Sequence, residues 1–140
     1  MSAAPFDDRD GSIWLDGSLI DYRDAKIHVL SHGLHYASAV FEGERLYNGS
    51  IFKSQEHTDR LLKSANVVGY EIPYSVEEIE KAKLQVVEAM ELIDGYVRPI
   101  AWRGTEMMGV SAQQNKIHLA ITAWDWPSYF DHEAKTKGIN

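Results

Sequence analysis

The sequence contains no cysteine. Disulfide scaffolds, thiolate metal sites and cysteine nucleophiles are excluded together, and the absence suits a reducing compartment. No apolar run reaches the roughly 18 residues that a membrane-spanning helix needs. The opening residues, Met1-Ser2-Ala3-Ala4-Pro5-Phe6-Asp7-Asp8, lack a basic stretch followed by an apolar one, so a secretory leader is not expected and a cytoplasmic protein is. Positive charge is scarce. Fourteen Lys and Arg against 21 Asp and Glu give a net charge of −7, and the basic residues are dispersed, so the positive stripe of a nucleic-acid grip is missing. Internal repeats, low-complexity tracts and linkers rich in Ser, Gly or Pro are also missing. So are a Gly-x-Ser-x-Gly elbow, a phosphate loop closing on Gly-Lys-Ser/Thr and a dinucleotide glycine fingerprint. What is present is globular: 140 residues, 44% hydrophobic and 25% charged, room for one domain.

Residues 1–12 are acidic and poor in pattern and read as a loose arm. Ile13-Trp14-Leu15, Asp16-Gly17 and Ser18 to Tyr22 read as a hairpin, because Gly accepts positive φ at low cost. Ala39 to Tyr47 is a candidate strand, Asn48-Gly49 its turn and Ser50 to Lys53 its return. Ser54 can cap a helix whose apolar stripe is Leu61, Leu62, Ala65 and Val68, with Gly69 as its stop. Ser75-Val76-Glu77-Glu78 is a capping box. It opens a second helix with Ile79, Ala82, Val86, Val87 and Met90 on its buried face, running to about Leu92 and closed by Gly95. Tyr96 to Trp102 and Ile117 to Trp124 read as strands, with a loop from Gly104 to Asn115 between them. Four or five strands interrupted by two consecutive helices imply an α+β fold over residues 13–124: a mostly antiparallel sheet with both helices on one face.

Several groups suggest chemistry. His28, His32 and His35 have a spacing that could line a helix and hold zinc, but Val29-Leu30-Ser31 and Gly33 disfavour a helix there. Hydrogen bonding within a tight loop is the favoured reading. In Phe41-Glu42-Gly43-Glu44-Arg45, alternation puts Phe41, Gly43 and Arg45 on one face and both glutamates on the other. A glycine inside a strand marks either a close approach or merely an edge strand with solvated charges. Tyr96 and Arg98 share a face and together suit a carboxylate; a surface ion pair is the plainer alternative. Arg60, near the positive end of a helix, suits an anion, phosphate above all. A surface pair with Glu56 or Asp59 is the alternative. Trp124, Trp126 and Tyr129 either wall an apolar pocket or pack as ordinary core.

The motifs Ser31-His32-Gly33-Leu34-His35-Tyr36, Val40-Phe41-Glu42-Gly43-Glu44-Arg45, Glu56-His57-x-x-Arg60-Leu61, Tyr96-Val97-Arg98-Pro99 and Gly109-Val110 occur in one order. Together they resemble the branched-chain amino-acid aminotransferases, the fold-type IV class of pyridoxal-phosphate enzymes, from about Ile13 to Tyr129. The resemblance implies transfer of an amino group between leucine, isoleucine or valine and 2-oxoglutarate by way of pyridoxal 5′-phosphate. It implies that Arg60 holds the cofactor phosphate and that Gly43 lets the chain pass close to the cofactor. Phe41, Tyr96, Trp126 and Tyr129 would line the side-chain pocket. Arg98 would receive the distal carboxylate of glutamate and Tyr96 the α-carboxylate. Tyr36 and Val110 would be donated across a homodimer interface. The family's Schiff-base lysine is expected downstream of Asn140, with residues 125–140 leading into a second domain, so these 140 residues alone are expected to be inactive. A D-amino-acid transaminase or aminodeoxychorismate lyase of the same fold type is the alternative enzyme, and a dimerising module without chemistry the alternative class.

Overall fold

The computed structural model describes residues 5–126 and Lys137. A sheet of seven strands carries two long helices on one face. The strands are β1 (Ser12–Leu15), β2 (Ser18–Asp21), β3 (Ala39–Phe41), β4 (Glu44–Tyr47), β5 (Ser50–Ile51), β6 (Gly95–Arg103) and β7 (Ile117–Trp124), and the helices are α1 (His32–Tyr36), α2 (Ser54–Val67) and α3 (Val76–Ala89). The order β2-β1-β7-β6-β4-β5, with β3 also on β6, is antiparallel at every pairing. The α+β expectation therefore holds, with more strands than expected.

The extra strand has a local cause. The segment from Ala39 to Tyr47 keeps one register against β6, from Ala39 opposite Trp102 to Leu46 opposite Gly95. At its centre the Glu42 backbone N–H donates to the Pro99 carbonyl at 3.0 Å. Pro99 has no N–H to return the bond, so the ladder lapses there and one expected strand becomes β3 and β4. The two turns form as read. Asp16 and Gly17, and likewise Asn48 and Gly49, all take positive φ, as two-residue hairpins require.

The helices hold the main core. Leu61 and Ala65 of α2 and Ile79, Ala82, Val86 and Val87 of α3 pack on Trp14, Leu46, Val97, Ala101, Leu119, Ile121 and Ala123 of the sheet. The capping box forms in both directions, which stabilises the start of α3 by about 1 kcal/mol. Four local expectations need correction. Ser54 is the first residue of α2; Lys53 precedes it in the left-handed region, and no side chain caps the turn. Val68 lies beyond α2 and is exposed. α3 ends at Ala89, and Glu91 turns the chain with φ 51°. Gly95 opens β6 instead of closing a helix, and a Cβ there would lie 2.6 Å from the Trp124 carbonyl oxygen.

The opposite face of the sheet is covered only in part. Ile13, Tyr22, Trp102 and Ala120 form a smaller cluster with Leu15, Ala25 and Ile100. The acidic N-terminal segment is tied down from its own side: Arg23 bonds Asp8 at 2.7 Å and Asp10 at 2.9 Å. No helix among the described residues is long and apolar enough to cross a membrane.

Candidate functional site

The break between β3 and β4 organises the site. Phe41 and Arg45 face the uncovered side of the sheet, whereas Glu42 and Glu44 point in under the helices. The glutamates are 5% and 0% exposed, so the reading of solvated edge charges is overturned. Two ionised carboxylates in that position need partners, and each has its own set. Glu44 meets Lys83 of α3, whose Nζ lies 2.8 and 2.9 Å from its two oxygens. Lys83 is itself fully buried and also reaches Thr58 Oγ1 at 2.6 Å, Glu80 at 3.0 Å and Ser54 at 3.2–3.3 Å. Burial pushes the Glu44 carboxyl up despite that lysine.

Glu42 is bound by α2. Arg60 donates Nε to Oε1 at 2.7 Å and Nη2 to Oε2 at 2.6 Å, and His57 Nδ1 lies 2.8 Å from Oε2. Burial works to raise this carboxyl, but the hydrogen bonds from Arg60 and His57 outweigh it and hold it below the usual range. The ion pair weighed for Arg60 therefore exists with a different acid: Glu56 pairs instead with Lys53 at 2.7 Å. The Arg60 side chain remains 64% exposed, and its Nη1 has no partner among the described residues. Beside it lies a recess of about 420 Å³ lined by Val40, Arg60, Lys63, Ser64, Val67 and Val68.

On the uncovered face the sequence-derived residues come together. Arg98 sits among three aromatic rings, its guanidinium carbon 4.8 Å from the Phe41 centroid, 5.1 Å from Tyr96 and 5.6 Å from Trp124. Tyr96, Trp124 and Trp126 pack on one another at 4.8–5.6 Å between centroids. Arg98 Nη2 donates to Tyr96 Oη at 3.1 Å. No carboxylate among the described residues pairs with Arg98, so the surface ion pair is not found. Two buried donors of this basin, Arg98 Nε and Trp124 Nε1, lack any partner among the described residues. The close approach signalled by Gly43 is made by Tyr96, because a Cβ there would lie 1.9 Å from its hydroxyl oxygen. Tyr129 lies outside the described residues.

The basin and Arg60 lie on opposite faces of the sheet, yet they meet at its rim. Among the described residues β3 pairs only with β6 and β5 reaches only Leu46 and Tyr47, so the outer side of Phe41-Glu42-Gly43 borders no described strand. A ligand along that rim can face Arg60 above and the aromatic basin below.

Tyr36 and Val110 form a separate corner. The three histidines near it all hydrogen-bond, but the expectation of a tight loop without a helix is corrected: His32 and His35 lie in α1, and His32 reaches a residue 77 positions away. His32 Nε2 donates to Gly109 O at 3.0 Å while Nδ1 lies 2.8 Å from Ser38 Oγ. His35 bonds Val29 O, and Leu30 N bonds His28. Tyr36 Oη bonds Met108 O at 3.1 Å, and Val110 stands 82% exposed beside it. Ala39 and Gly104 fasten this corner to the Trp102 end of β6, six residues or about 20 Å from Tyr96.

Two residues of consequence escaped the sequence reading. Lys83 falls four positions after Ile79 on the buried stripe of α3, a placement that already asks for an acid. Glu42 as the partner of Arg60 has no local signal, since the two are 18 positions apart.

The pattern of the family described as amino-transferase class IV matches residues 39–139. The chain is 46% identical over 136 residues to the branched-chain-amino-acid aminotransferase of Pseudomonas aeruginosa, covering 94% of this chain and 44% of that protein. It thus spans under half the length of the curated relatives it matches. A crystal structure of the T.th. branched-chain amino acid aminotransferase with pyridoxamine 5′-phosphate superposes with a TM-score of 0.84 at 39% identity, over 90% of this chain and 43% of that one. The same enzyme complexed with N-(5′-phosphopyridoxyl)-L-glutamate gives 0.80 at 39% identity, over 84% and 42%.

Proposed function

The chain belongs to the class IV aminotransferases, and from that premise we propose that it is the N-terminal part of a branched-chain amino-acid aminotransferase acting in the cytoplasm. The whole enzyme exchanges an amino group between leucine, isoleucine or valine and 2-oxoglutarate. One observation carries this reading: Arg98 is held in an aromatic basin with no acid beside it among the described residues. A pocket that takes an aliphatic side chain in one half-reaction and a carboxylate in the other needs an apolar wall and a cation that tolerates desolvation. The three rings and the Tyr96 hydroxyl give Arg98 that tolerance when leucine is bound.

Pyridoxal 5′-phosphate supplies the electron sink for amino transfer when bound. The residues present suit its phosphate. Arg60 keeps Nη1 open beside a recess that adds the cation of Lys63 and the hydroxyl of Ser64. Gly43 leaves room for the Tyr96 phenol at the rim, and a cofactor bound there would come closer from that side only if Tyr96 turned. The Tyr96 hydroxyl accepts from Arg98, so its own proton is left to donate to the α-carboxylate. Phe41 and Trp126 complete the apolar wall, the family resemblance assigns Tyr129 to the same pocket, and Arg98 takes the distal carboxylate of glutamate.

Tyr36 and Val110 sit too far along β6 to line the basin of their own chain. They serve the pocket of a second copy, in a homodimer joined through the apolar surface of Ile27, Val29, Leu34 and Val110, all exposed. The lysine that bonds the cofactor is not in this chain. Lys83 is buried on the wrong face and held by two carboxylates. In this reading that lysine belongs to the part of the relatives' length that the chain does not span, and the 140-residue chain alone is inactive.

The test is Arg98→Leu in the full-length protein. The kcat/KM for glutamate falls roughly 10- to 100-fold, the worth of a hydrogen bond to a charged group, while that for leucine stays within about threefold. Equal losses for both substrates make Arg98 a structural residue and remove the reading.

A further inference from the structure

We propose that Glu42 is the positioning residue for Arg60: its buried carboxylate fixes the plane of the guanidinium so that the outward edge meets the cofactor phosphate. This rests on the reading of Arg60 as the phosphate ligand. An arginine 64% exposed on a helix surface samples many rotamers. Here its inward edge is fixed twice, Nε on one carboxylate oxygen and Nη2 on the other, at 2.7 and 2.6 Å. Two parallel bonds define a plane, which one bond does not.

The carboxylate is itself immobile. Its backbone is bonded to Pro99 at the lapse in the ladder, and its side chain is 6% exposed. His57 Nδ1 binds Oε2 at 2.8 Å and stands 3.3 Å from Arg60 Nη2, closing the arrangement from the preceding turn of α2. Stability alone does not explain an acid here, because well-packed apolar residues commonly serve as well as a buried ion pair. An apolar residue cannot orient a fork. With Nε and Nη2 taken by Glu42, Nη1 is left for a ligand, and Arg60 lines a recess together with Lys63 and Ser64, groups that suit a phosphate of charge near −2.

The experiment titrates the full-length apoenzyme with pyridoxal 5′-phosphate and, separately, with unphosphorylated pyridoxal. The ratio of the two Kd values, expressed as the preference for the phosphorylated ligand, isolates the phosphate; general damage to the fold weakens both ligands together and leaves the ratio alone. Glu42→Gln, nearly the same shape, lowers the ratio roughly 10- to 100-fold, the worth of a charged hydrogen bond. An unchanged ratio overturns the proposal. A raised ratio overturns it too, since Glu42 then competes with the phosphate. Arg60→Lys, at an exposed position that tolerates change, is the second arm. A lysine is one point of charge, which Glu42 captures, so its ratio falls nearly as far as that of Arg60→Ala. A lysine that keeps the parent ratio means the fork is not needed, and the proposal fails. If Arg60→Ala itself leaves the ratio unchanged, the phosphate assignment of Arg60 falls, and the role of Glu42 falls with it.

Discussion

Two cations on the two faces of one sheet have opposite surroundings. Lys83, under the helices, meets Glu44, Glu80, Thr58 and Ser54 within 3.3 Å and has no exposed surface. Arg98, on the uncovered face, has one hydrogen bond, three aromatic rings and a buried Nε with no partner among the described residues. Arg98 stands on β6, and Lys83 of α3 meets an acid of the paired strand β4. The difference shows what each face is for. A buried network of ion pairs and hydrogen bonds fixes structure, and an unsatisfied donor in an aromatic basin is kept for a ligand.

The comparison breaks most visibly through Lys83. Lys83→Met leaves the buried Glu44 without its cation and costs about 3–5 kcal/mol, the usual penalty for removing one member of a buried pair. Arg98→Leu, by contrast, changes stability by less than about 1 kcal/mol, because it removes an orphaned donor together with one hydrogen bond. Urea midpoints at constant m-value measure both. Comparable losses at the two positions would abolish the division between the faces.

A smaller effect sharpens it by pH. Glu42 and Glu44 are two residues apart and face the same way, yet their carboxyls shift in opposite directions. Glu42 is held low, so the native state binds its proton more weakly than the unfolded chain does. Its contribution is present above the ordinary carboxylate value of 4.5 and is lost as pH falls through its lower native value. Glu44 is pushed up, so the native state holds its proton more tightly. Stability on its account declines as pH rises from 4.5 through its native value. Stability measured against pH in Glu42→Gln loses part of the acid-side slope. Glu44→Gln loses part of the slope above it. The same change of slope in both variants would mean that the two carboxylates share one environment.

What the sequence discloses of this molecule is what neighbouring residues decide. Asp16-Gly17, Asn48-Gly49 and the Ser75–Glu78 box form because their φ values and caps are local. β7 runs from Ile117 to Trp124 as read. The lapse between β3 and β4 is hidden because its cause, Pro99, lies on the partner strand. Gly95 reads as a helix stop because its true constraint, the Trp124 carbonyl, is 29 positions away. The site divides in the same way. Tyr96 and Arg98 are visible by their chemistry, since a phenol beside a guanidinium asks for an anion, but the helix-start argument for Arg60 does not hold, because Arg60 is the seventh residue of α2 and the dipole acts within the first turn. For Glu42 and Glu44 the sequence leaves solvated edge charges open as an alternative, because their partners Arg60 and Lys83 arrive from two helices that alternation along a strand does not reveal.

The smallest effect is the most local. Ser75 Oγ accepts from Glu78 N at 3.2 Å, and the Glu78 side chain accepts from Ser75 N at 2.7 Å. Ser75→Ala removes the first bond and frees the second to fray, at a cost of about 1 kcal/mol. The start of α3 lies on the outer surface, two turns before Lys83, and touches neither the aromatic basin nor Arg60. The loss therefore appears as a lower urea midpoint with the pyridoxal 5′-phosphate to pyridoxal affinity ratio unchanged. A change in that ratio would mean that α3 transmits the state of its cap through Lys83 and Glu44 to the rim of β3 and β4, and the two faces would then act as one unit.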